Sequence, residues 1–503
     1  MQALKKRKSI KYIMISIALL LCLTIAVISG AQSLDSAPNA VVMPTASATL
    51  NATYGALYHG STYRYTDYTK VEDMHSGAIT DDTTVITVDS SQPHGSQQNP
   101  FVIDSTAKWN AFVADMNNTS SGITDYGAGD YFVLAKDLDF NGVTFSAVPY
   151  FEGTFYGLDH TISNIVCSFA NDSNGGLFMN VSNVNAILAD ITVKDANFSS
   201  IKNTCAFICG NSGGSKILNC HANGIITRGT AISTEVCVGG ILGKTSGTSD
   251  TLLYRCSSDY TTTLKINNTS NGSKAGAILG EALNTGKVEI LDSYAKYVSN
   301  INSTHSNSYS GFIAASTGQP AASTIRIEGC VSYSFQQNAN QLVNDPMLTT
   351  VMSFWSTKIS SLTVKDSYFG GGASKSGSTF SVYPTNYHTN QASNFNNTTL
   401  DVSNLNWYAD STLRYNASTH RDLLTSKVAA NMIRHSSAEA DLWAAAQADT
   451  ALYDKIWTNK NAIGGTYTVE NSPVRNTSFV KEQFDVEFYN YKNNSDESIG
   501  VTT

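Results

Sequence analysis

The stretch Val238-Gly239-Gly240-Ile241-Leu242-Gly243 decides the fold, because close variants of it return along the middle of the chain. Each variant places small residues, mostly glycine, next to a short apolar run. The other copies are Gly175-Gly176-Leu177-Phe178, Cys205-Ala206-Phe207-Ile208-Cys209-Gly210, Ala275-Gly276-Ala277-Ile278-Leu279-Gly280 and Ser310-Gly311-Phe312-Ile313. A regular return of one phrase indicates a repeat architecture before any single residue suggests a chemistry.

A second column of the repeat supports the same period. It holds small or apolar residues at the ends of strand-like runs: Ile191, Cys220, Cys256, Ser293, Cys330 and Ser367. The steps between these positions are 29, 36, 37, 37 and 37 residues. Each unit contains short β-rich runs separated by Gly, Ser and Asn clusters, and it is too short to bury its own apolar face. We therefore predict an all-β, right-handed parallel β-helix (solenoid) over residues 99–372.

The segments around the repeat predict caps and extensions. Trp109, Phe112, Val113 and Met116 share one face of a helix that Asp104 or Ser105 can cap, so we expect an N-terminal capping helix. Residues 32–98 are expected to form a polar extension or linker. Residues 373–470 read as an irregular C-terminal cap region with helical runs at 419–457, and residues 471–503 as the start of a further β domain that the chain end cuts short.

The first 31 residues have the pattern of a signal peptide. A basic front with five lysines and arginines precedes an apolar run from Ile13 to Ile28, and Ser29-Gly30-Ala31 offers a small-residue cleavage site. An uncleaved membrane anchor is the alternative. Removing the segment changes the net charge from −8 to −13, since five positive charges leave. The remaining acidic chain argues against nucleic acid as a partner. The signal segment itself predicts an extracellular or cell-surface location.

Seven cysteines follow the signal segment, and three of them lie in the repeat column that serine also occupies. A position that accepts Cys or Ser calls for a small interior side chain, so we expect buried thiols. A disulfide between Cys220 and Cys256 is the alternative, because successive rungs of a parallel stack lie about 4.8 Å apart.

Motifs that resemble known sites lack the context that those sites need. Gly210-Asn211-Ser212-Gly213-Gly214 fits a nucleophile elbow, but a strand follows it where a helix is required. Gly239-Gly240-Ile241-Leu242-Gly243-Lys244-Thr245 is similar to a phosphate loop, yet Val238 occupies the position of the first glycine. Asp137-Leu138-Asp139-Phe140-Asn141-Gly142 matches half of a calcium loop, with Val148 where the closing Glu belongs.

A carboxylate ladder would be the mark of a polysaccharide-active enzyme on this architecture. The column beside the small residues reads Asp190, Asn219, Arg255, Asp292, Gly329 and Asp366. No two neighbouring rungs both supply a carboxylate, and Arg255 beside Asp292 is interpreted as a surface ion pair. We therefore assign no catalytic, cofactor-binding or metal-binding residue and no cofactor.

The segment Phe151-Glu152-Gly153-Thr154-Phe155-Tyr156-Gly157-Leu158-Asp159-His160-Thr161-Ile162-Ser163-Asn164-Ile165 resembles the entry segment of secreted parallel β-helix proteins with GLUG-type repeats. Gly176-Leu177-Phe178 resembles the namesake of that repeat, and Asn99-Pro100-Phe101-Val102-Ile103 resembles its lead-in strand. The resemblance covers roughly residues 99–370. It implies a pectin-lyase-like fold and a cell-surface, adhesin-like role, and it brings no shared catalytic motif.

These observations predict an exported, adhesin-like β-helix rod that is not an enzyme and presents loops to extracellular glycans or to surface proteins. Two alternatives stay open: a polysaccharide-active β-helix enzyme (lyase or glycoside hydrolase), and a purely structural envelope spacer. A pair of carboxylates facing one groove would favour the enzyme.

Overall fold

A computed structural model describes most of the chain between residues 100 and 452. It covers residue 95 and residues 100–117, 129–158, 160–170, 174–232, 235–266, 273–284, 286–303, 309–317, 323–336, 347–355, 359–373, 383–388, 398–410, 420–421, 424, 432–435, 438–449 and 452. The predicted signal peptide, nearly all of the N-terminal extension and the predicted further β domain lie outside the described residues. Within the described residues, no helix is both long and apolar enough to cross a membrane.

Parallel strands stack in three columns, A, B and C, which the chain visits in turn. Column A holds β1 (Phe101–Ile103), β2 (Tyr131–Leu134), β4 (Thr154–Tyr156), β9 (Ile187–Ala189), β13 (Lys216–Leu218), β17 (Thr251–Tyr254), β20 (Lys287–Leu291), β23 (Ser323–Glu328) and the first halves of β26 (Ile359–Ala373) and β28 (Thr399–Asp410). Leu188, Ile217 and Leu253 pair in register, and Ile290, Ile327 and Val364 continue the row. The period predicted from the sequence is therefore confirmed.

Column B lies next along the chain and shares the long strands with column A. It holds β3 (Leu138–Asp139), β5 (Thr161–Ser163), β6 (Val166–Ser168), β10 (Thr192–Ser199), β14 (His221–Ile232), β18 (Ser257–Ile266), β21 (Tyr294–Ser303), β24 (Val331–Gln336), the second halves of β26 and β28, and β30 (Met432–His435).

Column C closes each turn of the solenoid. It holds β7 (Asn174–Gly175), β8 (Phe178–Val181), β11 (Thr204–Cys205), β12 (Cys209–Ser212), β15 (Val236–Gly239), β16 (Leu242–Gly247), β19 (Ser273–Asn284), β22 (Tyr309–Thr317), β25 (Met347–Trp355), β27 (Tyr383–His388) and the antiparallel β29 (His420–Arg421). The structure is thus the predicted all-β parallel solenoid.

The turn from column A to column B is a ladder of left-handed residues. The column beside the small residues supplies them, with φ of 55° at Asp190, 53° at Asn219 and 64° at Gly329. Asn, Asp and Gly adopt this conformation most readily, which explains their recurrence. Arg255 and Asp292 share the conformation and are buried, so the prediction of an exposed ion pair is wrong.

The Cys/Ser column lies inside the solenoid. Cys220, Cys256 and Cys330 are buried, and all seven cysteines after the signal segment are free thiols. Burial raises the pKa of the Cys256 thiol to about 12, because an apolar interior disfavours the thiolate. The prediction of buried thiols is confirmed.

Two helices pack on the strands. Helix α1 (Thr106–Asn117) covers the N-terminal rungs: the Ser105 hydroxyl accepts a bond from the Lys108 amide at 3.3 Å, and Trp109 packs among Phe145 and Phe155. This matches the predicted capping helix.

Helix α2 (Ala438–Ala448) packs against the outer face of column B, where Trp443 lies on the ring of Tyr294. The helical run predicted through Met432 is wrong, because Met432 pairs with Trp407 and adds β30 to the sheet. Strand pairing outweighs the local helical spacing there.

Candidate functional site

Column C bends in the middle of each rung, and the repeated phrase forms this bend. In β19, a Cβ atom on Gly276 would lie 1.8 Å from the Leu279 carbonyl oxygen. A Cβ atom on Gly243 would lie 2.5 Å from the Gly210 carbonyl and 3.0 Å from that of Cys205. Only glycine leaves room for such an approach of two backbone segments. The glycines that resemble a phosphate loop are therefore the floor of a concave bend.

Two arms face each other across this bend. The upstream arm carries Asn174, Thr204, Cys237, Lys274 and Tyr309 in register, and the downstream arm carries Asn180, Asn211, Lys244, Glu281 and Ala315. Side chains of the two arms touch, since the Asn174 amide donates to Asn180 Oδ1 at 2.6 Å. We call this concave face the outer bend.

A group of ionisable side chains fills the middle of the outer bend. Lys274 Nζ contacts carboxylate oxygens of both Glu235 and Glu281, while Lys244 Nζ lies 3.0 Å from Glu281 Oε2. The Cys237 thiol donates to Glu235 at 3.4 Å and to Glu281 at 3.3 Å. Only 4% of the Lys274 side chain and 1% of the Glu281 side chain are exposed. We call these five residues the buried charge cluster.

Burial and charge set the protonation states of the cluster. Burial lowers the pKa of Lys274 and Lys244, but the neighbouring negative charges outweigh it, so both values lie above the usual one for lysine. Burial and the adjacent Glu281 carboxylate hold the pKa of Cys237 well above its usual value. The cluster therefore contains two ammonium groups and a neutral thiol.

Three members of the cluster have the donor atoms of a metal site. The ligand atoms of Glu235, Cys237 and Glu281 lie within 4.8 Å of one another, and this is the single such group in the described part of the chain. The Lys274 ammonium already occupies the space between the two carboxylates, and a protonated thiol is a poor ligand. These residues do not fit a resident metal ion.

The cluster also bears on the enzyme alternative, because it brings two glutamates to one face. Lys274 and Lys244 engage both oxygens of Glu281, whose side chain is almost wholly buried. A carboxylate in that state cannot reach a glycosidic bond.

The sequence did not predict this cluster, because Glu235 and Glu281 are far apart in the chain and only the strand register brings them together. The one sign of it in the sequence is Lys244, which follows the repeated glycine at Gly243.

On the rungs nearer the N-terminus, the downstream arm is partly exposed to solvent. Bridges join Val148 to Phe178 and Phe151 to Val181, both with an offset of 30 residues, which places Tyr150 opposite Asn180. Tyr150 is 64% exposed. Its row continues through Asn180 and Asn211 to Lys244, whose side chain is 25% exposed. We call these four residues the outer ladder.

The motifs considered from the sequence have structural roles. Ser212 of the elbow-like motif is buried and lies 2.7 Å from the Ser215 hydroxyl. Asp137 Oδ1 accepts from the Thr161 amide at 2.7 Å, and Asp139 Oδ1 accepts from the Asn164 side chain at 2.8 Å. These carboxylates therefore hold the turn between neighbouring rungs.

Comparison with known proteins does not assign the chain to a family. No protein-family model and no curated protein matches the chain. A solved structure of a candidate immunoglobulin A1 protease from Bacteroides ovatus is 18% identical, with a TM-score of 0.37, over 65% of this chain and 80% of that chain. That identity and TM-score do not support transfer of an activity. The resemblance to GLUG-type repeats rests on the quoted residues alone.

Proposed function

We propose that this protein is an exported, non-catalytic surface protein that binds extended glycans along the outer ladder. The observation that carries the proposal is the exposed ring of Tyr150 at the head of a row of amide side chains. A tyrosine presents an apolar ring face together with a polar hydroxyl, which suits a sugar whose C–H groups alternate with hydroxyls.

The spacing of the ladder supports an extended ligand. Tyr150, Asn180 and Asn211 lie on successive parallel rungs, so their side chains recur at about 4.8 Å. The Asn180 amide donates one N–H to the Pro149 carbonyl and accepts from Asn174. Because an amide has two N–H donors and two acceptor lone pairs, one of each is left to bond a hydroxyl. A linear chain of hydroxyl-bearing units can meet the same chemistry at each step, as extended surfaces of solenoids commonly allow.

The test is a glycan array probed with the full chain, together with binding to matrix proteins. We expect binding to a linear glycan, and we expect Tyr150→Ala to weaken it by on the order of tenfold, which corresponds to about 1.4 kcal/mol. The matched control is Val166→Ala, at an exposed apolar residue of column B. The control should bind as the parent does.

Two results would contradict the proposal. Cleavage of a polysaccharide by the full chain would favour the enzyme alternative. The absence of binding to every glycan and matrix protein would favour a structural spacer.

A further inference from the structure

The buried charge cluster has no part in the proposed glycan site beyond Lys244, and its arrangement calls for a separate explanation. Lys274 and Glu281 belong to one strand, β19, and face each other across the bend. A buried ion pair contributes little net stability, because desolvation of two charges offsets most of their attraction. Apolar side chains could have closed the bend at lower cost.

We propose that Lys274 and Glu281 condense into an isopeptide bond between Nζ and Cδ, which staples the two arms of the bend. The four groups that such a step needs are present. Lys274 is the nucleophile and the Glu281 carboxyl carbon is the electrophile. Glu235 touches the nucleophilic nitrogen, and Lys244 lies 3.0 Å from Glu281 Oε2.

The step begins from the ion pair, in which Lys274 holds three protons. Glu235 accepts one proton from Nζ, and the neutral amine then attacks Cδ of Glu281. Negative charge grows on Oε2, where the Lys244 ammonium and the Cys237 thiol stabilise it.

Collapse of this intermediate expels Oε1 as water. Two protons leave Nζ and pass through Glu235 to Oε1, and the third stays on the amide nitrogen. The new C–N bond replaces one C–O bond, Glu235 is regenerated, and no oxidant or cofactor is consumed.

Placement lowers the barrier to a reaction that is slow between separate groups in water. The fold holds the amine against the carboxyl, and intramolecular reactions of well-oriented groups reach effective concentrations of about 10⁵–10⁸ M. Both side chains are almost fully buried, so water is kept from the product. The seven-residue separation along β19 makes the staple a local ring that fixes one bend.

Intact mass of the purified full chain tests the proposal directly. We expect a mass lower by one water than the sequence requires. Trypsin cuts after lysine, and Lys265, Lys274 and Lys287 are consecutive lysines in this region. We expect one peptide covering residues 266–287, uncut at 274 and lighter by one water. The full mass, with complete cleavage after Lys274 in the denatured chain, overturns the proposal.

Two variants separate the bond from the fold. Lys274→Arg keeps a cation but cannot form this amide, so the mass deficit should disappear. Glu235→Gln should retain the fold, since Glu235 is one-third exposed, while the uncrosslinked form accumulates. The control Glu152→Gln, at an exposed carboxylate that bonds Ser182, should keep the full deficit. An unchanged deficit in folded Glu235→Gln overturns the proton relay.

Discussion

We expect the stability of the chain to depend on pH through Asp259, whose pKa is influenced by Glu439 of helix α2. It lies in register with Lys296 on the outer face of column B, and Lys296 is engaged by Glu439 of α2 at 2.7 Å. Burial raises the pKa of Asp259 from 3.8 to about 7; Lys296 opposes the rise and Glu439 adds to it. Between about pH 4 and pH 7 the folded chain therefore retains a proton on Asp259 that the unfolded chain has lost.

The sign and size of the effect follow from that difference. Between about pH 4 and pH 7 the folded state binds more protons than the unfolded state, so stability falls as the pH rises through this window. A difference of about three pKa units corresponds to at most about 4 kcal/mol. Asp259→Asn removes the charge that burial penalises, so it should stabilise the chain at pH 8 and change little at pH 4.

Thermal unfolding of the parent and of Asp259→Asn, measured from pH 4 to pH 9, checks this expectation. The gain from the substitution should grow with pH and level off above about pH 7. The matched control is Asp139→Asn, because hydrogen bonds from Asn164 and from the Asn141 amide lower the pKa of that exposed carboxyl. Asp139→Asn should therefore lower the midpoint of thermal unfolding, whereas Asp259→Asn should raise it. A pH-independent difference between parent and Asp259→Asn would refute the reasoning.

Four further outcomes follow from packing. Gly280→Ala should lower the midpoint of thermal unfolding sharply, because its Cβ would lie 2.5 Å from the Gly243 carbonyl and 2.7 Å from that of Val238. Lys274→Met should cost roughly 3–5 kcal/mol in denaturant unfolding, since it removes the buried cation that contacts both Glu235 and Glu281. Cys330 should react with a thiol reagent only after denaturation, as burial raises its pKa well above the usual value. Trp443→Ala should detach α2 from Tyr294, which increased proteolysis within 438–448 would report.

The period of the repeat could be predicted because two columns of side chains recur at nearly constant steps. Interior positions such as Cys256 and Ile290 must be small or apolar on every rung, and they therefore leave a pattern in the sequence. The left-handed turn at Asp190 and Asn219 left an equally clear pattern, but its composition also fits carboxylate chemistry. Only the backbone angles distinguish the two explanations.

The buried charge cluster and β30 could not be predicted, for a shared reason. Both depend on pairings between rungs, where one residue meets another many positions away. Glu235 reaches Lys274 only because column C is in register, and Met432 leaves its helical spacing because column B offers it a strand partner. Local spacing carries no information about either contact.

The glycines at the floor of the outer bend affect both the proposed glycan site and the proposed isopeptide bond. Because Gly243 and Gly280 allow the two arms to approach closely, side chains on opposite arms can touch across the bend. On the rungs near Tyr150 the downstream arm is polar and partly exposed, whereas on the rung of Lys274 the close approach of the arms buries the charged groups. A change at the floor should therefore disturb both regions, while Tyr150→Ala and Glu235→Gln should each affect one of them. Independent loss of glycan binding and of the mass deficit in those two variants is the result that this arrangement requires.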